Sequence, residues 1–231
     1  MSPCKIEDFK TISNQLKELL GLDKSPVAIK LFIDEEDAKE VLPKADDKIR
    51  HCQRVFKAAS EKVSCYATLE EQQCQGGAAV LGLRDYPKPL KTGKKYFSLG
   101  RFASQGSAIH ELSQVPKVET VMSAVGYAPL EDAEFEPDVI VLYALPEQGM
   151  KIAQAYGYVL GKRFNASYAG IQSVCADVVA GPYKNKEPNM TLGCDGSRGT
   201  TSVKPDELVI GLTAENLGCM LNSLESIMNK N

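Results

Sequence analysis

Two blocks of this chain repeat one another, and the repeat limits the fold more than any other feature. Ser64–Leu83 (SCYATLEEQQCQGGAAVLGL) and Asn165–Tyr183 (NASYAGIQSVCADVVAGPY) overlay without gaps so that Cys74 falls on Cys175. Cys52 stands 22 residues before Cys74, and Ala153 stands 22 before Cys175. A third shared feature, YFSLGRFASQGS at Tyr96–Ser107 against NMTLGCDGSRGT at Asn189–Thr200, sets Cys194 against Arg101 and is reached by a shorter connection in the second copy. The expectation is one ancestral unit doubled. An N-terminal helix over residues 1–24 packs on two half-domains, 25–132 and 133–231, related by a pseudo-two-fold axis. In that overlay Cys74 and Cys175 face the axis together, while Cys52 and Cys194 each come from one half only. Ligands commonly lie between such halves, where loops converge.

Hydrophobic spacing fills in the elements. Ile6, Phe9, Ile12, Leu16, Leu19 and Leu20 recur at helical spacing, with Gly21 as the stop. VAIKLF (Val27–Phe32) reads as a buried strand, and Asp34 with its acidic neighbours caps a small helix ending near Pro43. Ile49, Cys52, Val55, Phe56 and Ala59 mark one face of the next helix. AAVLGL after Gly76 and Gly77 predicts a short helix closed by Gly82. Arg84–Gly93 reads as surface loop, a helix falls around Ile109–Leu112, and Val115–Asp132 is the aperiodic connection between the halves. PDVIVLYALPEQ and PDELVIGLTAEN are both strand-then-helix patterns; the first helix runs through Ile152, Tyr156 and Val159 to Phe164, the second through Leu217, Met220, Leu221, Leu224, Ile227 and Met228. Strands alternating with helices predict an α/β or α+β fold whose sheet strands are covered by helices.

Composition narrows the class of partner. The chain's 231 residues suffice for one large domain or two small packed ones, and its formal net charge is -3 with a pI near 5.6. That charge argues against nucleic acid, which needs a clustered basic face. No apolar run approaches the roughly 18 residues of a membrane span. The opening MSPCKIEDFK is charged and carries no export signal, so the expected compartment is the cytoplasm. There the seven cysteines stay reduced. Their odd number cannot pair completely, no C-x-x-C spacing occurs, and only His51 and His110 could join them in a metal site.

HCQRVFKAA, CQGGAAVLGL, SVCAD and NMTLGCDGSRG resemble the recurring blocks of domain of unknown function 169 (DUF169), an uncharacterised family of archaeal and bacterial proteins. The resemblance runs from about the first strand to the last helix. It implies no activity. It implies a cysteine pattern at Cys52, Cys74, Cys175 and Cys194, leaving Cys4, Cys65 and Cys219 local to this chain.

Three functional expectations follow. The first is that Cys52, Cys74, Cys175 and Cys194 bind an iron–sulfur cluster of the four-iron type, with zinc as the alternative metal and Cys65 as a substitute ligand. Gly76, Gly77, Gly193 and Gly196 would bring backbone amides near the sulfurs, for electron transfer to a redox partner or for redox sensing. The second is a metal-free binding module for a small anion, phosphate or carboxylate, in the loop TLGCDGSRGTT with Gly193, Gly196, Ser197 and Arg198. The third is a structural protein with reduced core cysteines. A nucleophilic role for Cys74 or Cys194 finds no assignable base: His51 adjoins Cys52 but points to another helix face, and His110 reads as a surface residue. Asp177 and Asp195, close behind Cys175 and Cys194, could orient a water beside the thiols, and caps and turns use Asp just as often.

Overall fold

A computed structural model describes residues 8–228. Cys4 and Ile6, both singled out in the sequence, lie outside the described residues. The chain is a mixed α/β protein around a six-stranded sheet of order β2-β3-β1-β4-β6-β5, antiparallel at every pairing. The strands are β1 (Val27–Phe32), β2 (Cys65–Ala67), β3 (Ala124–Pro129), β4 (Val139–Ala144), β5 (Asn189–Thr191) and β6 (Leu208–Thr213). β1 and β4 meet at the centre through Val27↔Val141, Ala28↔Ile140 and Ile29↔Val139.

The long strands are apolar without alternation because helices cover both faces of the sheet. On the first face lie α1 (Phe9–Leu20), α2 (Glu35–Val41), α8 (Pro146–Leu160) and α11 (Leu217–Met228), packed on Ala28, Ile140, Leu142 and Ile210. On the second lie α3 (His51–Glu61), α4 (Gln75–Val80) and a π-helix (Ser173–Ala180), packed on Ile29, Tyr127, Val139, Val141 and Val209. Each fully buried aliphatic side chain contributes about 1.5–3 kcal/mol, so a strand buried on both faces is held twice over. α1 buries Phe9, Ile12, Leu16 and Leu20, and Gly21, at φ +67°, ends it where the spacing predicts. α8 stops at Leu160 with Gly161 in the left-handed region, short of the expected Phe164.

Two expectations are corrected. Val115–Asp132 is not an aperiodic connection: it holds β3, paired along its length with β1 and also with β2. AVGYAP carries no alternation because both its faces are buried, and Gly126 is required by close packing, a Cβ there meeting Leu42 and Phe32 at 2.8 Å. Arg84–Gly93, expected to be loop, contains the short helix α5 (Lys88–Lys91), followed by α6 (Lys94–Ser98) and α7 (Gln105–Gln114).

The overlaid blocks do not share elements. Ser64–Leu83 folds as β2, a turn and α4, whereas Asn165–Tyr183 is irregular chain, then the π-helix and the start of α9 (Gly181–Asn185). Cys52 lies in the first turn of α3 and Ala153 in the middle of α8. Tyr96–Ser107 spans α6, a turn and the start of α7, but Asn189–Thr200 spans β5 and α10 (Asp195–Thr200). Runs of Ala, Val and Gly such as AAVLGL and ADVVAG have the same composition in different helices, so a composition match did not fix the register. Among the described residues no helix is long and apolar enough to cross a membrane.

Candidate functional site

Four cysteines reach one cavity on the second face. The cavity, about 540 Å³, is lined by Cys52, Cys74, Cys175 and Cys194, with Arg50, Gln172, Tyr96 and Arg101 among its other walls. Each thiol comes from the beginning of a helix. Cys74 caps α4, its Sγ accepting from the Gly77 N–H at 3.4 Å. Cys194 caps α10 in the same way, accepting from the Ser197 N–H at 3.4 Å, while Ser197 Oγ accepts from the Cys194 N–H at 2.9 Å. Cys52 is the second residue of α3 and Cys175 the third of the π-helix. All four are unbridged and none is fully enclosed by residue exposure.

Local chain geometry brings these starts together. The Gln73 N–H donates to the Ile49 carbonyl at 3.0 Å, and Ile49 and Gln72 form a parallel bridge, which sets the approach to Cys74 beside the approach to Cys52. Ser173 Oγ lies 3.3 Å from Ser197 Oγ and ties the π-helix to α10. The π-helix seats against β6 only because residue 211 is glycine: a Cβ there would stand 2.0 Å from the Val178 carbonyl oxygen. Gly77 fills the space between two thiols. The position its Cβ would take is 3.7 Å from both Cys74 Sγ and Cys175 Sγ.

The thiols feel one another. Burial, then the neighbouring Cys194, push the Cys52 thiol up to about 11, with a Thr200 hydrogen bond opposing. Burial pushes Cys175 well above the ordinary thiol range, and Cys74, Cys194 and Cys52 all add to it. Burial also raises Cys194, but hydrogen bonds from Ser173 and Ser197 outweigh it and leave that thiol below its ordinary value. A Ser, Thr, Asp or Asn is the preferred residue at a helix N-cap. Cysteine at both Cys74 and Cys194 is a poorer acceptor in a place where serine would do, so capping alone does not account for it.

The remaining predicted residues are distributed unevenly. Gly77, Gly196 and Ser197 line the cavity, and Gly76 lies behind it, where a Cβ would meet Gln172 Nε2 at 2.8 Å. Gly193, at φ +90°, turns the chain into α10. Arg198 is not at the cavity. Its guanidinium donates to the carbonyls of Leu192 (2.6 Å), Lys204 (3.1 Å) and Glu207 (2.7 Å), binding the loop to itself rather than to an anion. Cys65 is also elsewhere: it lies in β2, its sulfur 3.9 Å from Arg54, beside a different cavity. Cys219 belongs to α11 on the far side of the sheet. Asp195 pairs with Arg101 at 2.7 Å, and Asp177 accepts from Thr191 at 2.8 Å. Burial lifts the Asp177 carboxyl to about 7; it faces a separate, larger cavity of about 700 Å³ beyond the π-helix.

His51 adjoins Cys52 yet is withdrawn from ligation. It is 2% exposed, its Nδ1 is 2.9 Å from the Tyr127 hydroxyl, and burial depresses it to about 3, keeping the ring neutral. His110 is exposed on α7. Among the described residues, no three His, Cys, Asp or Glu side chains stand close enough to hold a single metal ion. Sequence reasoning missed Arg50, Lys95, Tyr96 and Gln172. No pattern in the chain marks them, although Arg50 could have been suspected from its place two residues before Cys52.

Comparison with known proteins adds family but not activity. The family model for DUF169, described as uncharacterised ArCR, matches residues 15–223. The chain is 40% identical over 221 residues to the uncharacterized protein MJ0308 of Methanocaldococcus jannaschii, with 95% of each chain covered. No solved structure matches it. The resemblance read from HCQRVFKAA, CQGGAAVLGL, SVCAD and NMTLGCDGSRG is therefore one of descent: the chain belongs to the DUF169 family.

Proposed function

We propose that Cys52, Cys74, Cys175 and Cys194 ligate an iron–sulfur cluster of the four-iron type, and that the protein works in electron transfer or redox sensing. The observation that carries this reading is the convergence of four unbridged thiols, each from a different helix start, on one cavity. The donor set is all sulfur, which suits iron–sulfur chemistry, and the nearest imidazole is neutral and held by Tyr127. Zinc is the alternative metal for the same four thiols, since an all-sulfur donor set suits either.

When bound, such a cluster supplies one-electron transfer at a potential set by its surroundings. The chain's own residues would set those surroundings. The Gly77 and Ser197 N–H groups point at the sulfurs of Cys74 and Cys194, which stabilises negative charge there. Arg50 and Lys95 stand at the walls with opposite charge, beside Tyr96 and Leu99 from α6 and the turn after it. A cytoplasmic setting and a redox partner protein are part of the same reading.

The strand order supports a doubled unit, in a register different from the sequence overlay. β2, β3 and β1 run from one edge to the centre as β5, β6 and β4 run from the other. A helix carrying a cysteine near its start precedes each edge strand (Cys52, Cys175), and a cysteine-capped helix of six residues follows it (Cys74, Cys194). In this register each half, 25–132 and 133–231, gives two thiols, and the pseudo-two-fold axis passes between β1 and β4.

The test is a serine series in protein reconstituted with iron and sulfide without oxygen. Serine at any of the four positions abolishes the brown colour and the broad visible absorption expected of a cluster, and serine at Cys65 or Cys219 leaves them unchanged. A wild-type chain that stays colourless and iron-free would instead support reduced core cysteines.

A further inference from the structure

We infer that the cavity beyond the π-helix is a binding site for a small organic ligand bearing an ammonium group, with Asp177 and Glu111 as its anionic contacts. Binding there is independent of the cluster and needs no metal. The cavity is about 700 Å³, within the roughly 300–1,000 Å³ of small-molecule sites and far more than a bare ion fills. One helix serves both cavities: Cys175 is on the wall of the thiol cavity and Asp177, two residues on, is on the wall of this one.

The strongest mark is Asp177. It is 5% exposed and lines the cavity. Its Oδ2 accepts from the Thr191 hydroxyl at 2.8 Å, which fixes the carboxyl, while Oδ1 makes no hydrogen bond among the described residues and is not sealed in by protein. A buried carboxylate is costly unless it is paired. Glu111, half-buried on α7, lines the same cavity, and neither residue makes an ion pair among the described residues. Burial, then the repulsion of Glu111, act against charge on Asp177, with the Thr191 hydrogen bond opposing. An ammonium group between the two carboxyls gives donors to both and cancels their repulsion.

The walls are built rather than loose. Asn189, which opens β5, donates to the Ser167 carbonyl at 2.8 Å, accepts from the Ser167 N–H at 2.9 Å and donates to the Asp177 carbonyl at 2.9 Å. One side chain thus ties the loop after α8 to the π-helix. The third carboxylate of the lining, Glu187, is already committed to Lys162 at 3.1 Å and to the Tyr156 hydroxyl. Asp177 and Glu111 are therefore the two left for a ligand. Arg163 is the lining cation without an ion pair among the described residues, and a guanidinium matches a carboxylate. An amino acid would use both ends of the cavity lining, a simple diamine only the acidic one.

The experiment is calorimetric titration of the full chain with putrescine in one arm and L-ornithine in the other, two amines that differ by a single carboxylate. Saturable binding is expected in at least one arm. Binding of putrescine assigns recognition to the ammonium alone, and binding of ornithine only assigns an amino acid. Asp177→Asn and Glu111→Gln each weaken it by roughly tenfold or more, whereas Glu134→Gln, an exposed position outside the cavity, leaves it unchanged. Glu111 is half-buried and unpaired among the described residues, so its variant keeps the test decisive if Asp177→Asn fails to fold. Binding in neither arm, or binding indifferent to both variants, overturns the site.

Discussion

The two faces of the central sheet are built from the same strands and do different work. On the first face, α1, α2, α8 and α11 close over hydrocarbon: Phe9, Leu16, Ile140, Leu142, Ile152 and Leu217 meet side to side, and the cavity left between α8 and α11 is about 120 Å³ with mostly apolar walls. On the second, α3, α4, the π-helix and α10 meet end to end as well as side to side. Their starts converge, and a cavity of about 540 Å³ opens among four thiols. Helices laid flat on a sheet make a core; helices aimed at one point leave unsatisfied N–H groups and capping side chains facing a shared space. The difference separates a face closed by hydrocarbon from a face that opens a cavity among thiols.

The sharpest way to break that separation is Gly211→Ala. The added Cβ would fall 2.0 Å from the Val178 carbonyl oxygen, forcing the π-helix off β6 and carrying Cys175 with it. A loss of about 4 kcal/mol or more is expected, together with loss of iron, by chemical denaturation and metal analysis. Leu142→Ala, on the first face, should cost about 3 kcal/mol of stability and leave iron content per folded chain unchanged. An equal loss of iron would show that the faces are not independent.

Glu131 offers a smaller, pH-dependent effect confined to the first face. Burial raises its carboxyl, but hydrogen bonds from Ser13, Ser25 and Lys17 outweigh that and hold it at about 2, against an ordinary 4.5. A depressed carboxyl stabilises the fold above its unfolded value, and the contribution is lost as pH falls from about 4.5 toward 2. Glu131→Gln should therefore lower stability by about 2 kcal/mol at pH 7, with the gap to wild type closing toward pH 2 in a series of melts. Smallest in stability is Cys74→Ser. Serine caps a helix at least as well as cysteine, so the metal-free chain should melt within about 0.5 kcal/mol of wild type while iron binding is lost.

The first face was the more legible in the sequence. VAIKLF, VIVLYA and LVIGLT announce themselves as strands because burial on both sides leaves no polar break, and Phe9, Ile12, Leu16 and Leu20 mark their helix by spacing alone. β3 was hidden because Gly126 and Pro129 look like loop chemistry until Phe32 and Leu42 are seen to need the missing Cβ. On the second face the four cysteines could be named, because the blocks that resemble DUF169 carry them. Their meeting at one cavity could not be read, because it follows from how the helix starts are placed on the sheet rather than from distance along the chain. Arg50 and Gln172 were equally invisible, because only the folded chain brings them to the wall of the cavity. Arg198 misled for the converse reason, a cation in a glycine-rich loop whose carbonyl partners lie up to nine residues ahead.

The iron, acid-labile sulfide and zinc content of the full chain purified without oxygen tests the central claim most directly. About four irons and about four sulfides per chain, with no zinc, is the predicted result. A chain that holds neither iron nor sulfide after reconstitution, and whose Cys52, Cys74, Cys175 and Cys194 are all open to alkylation, would contradict it.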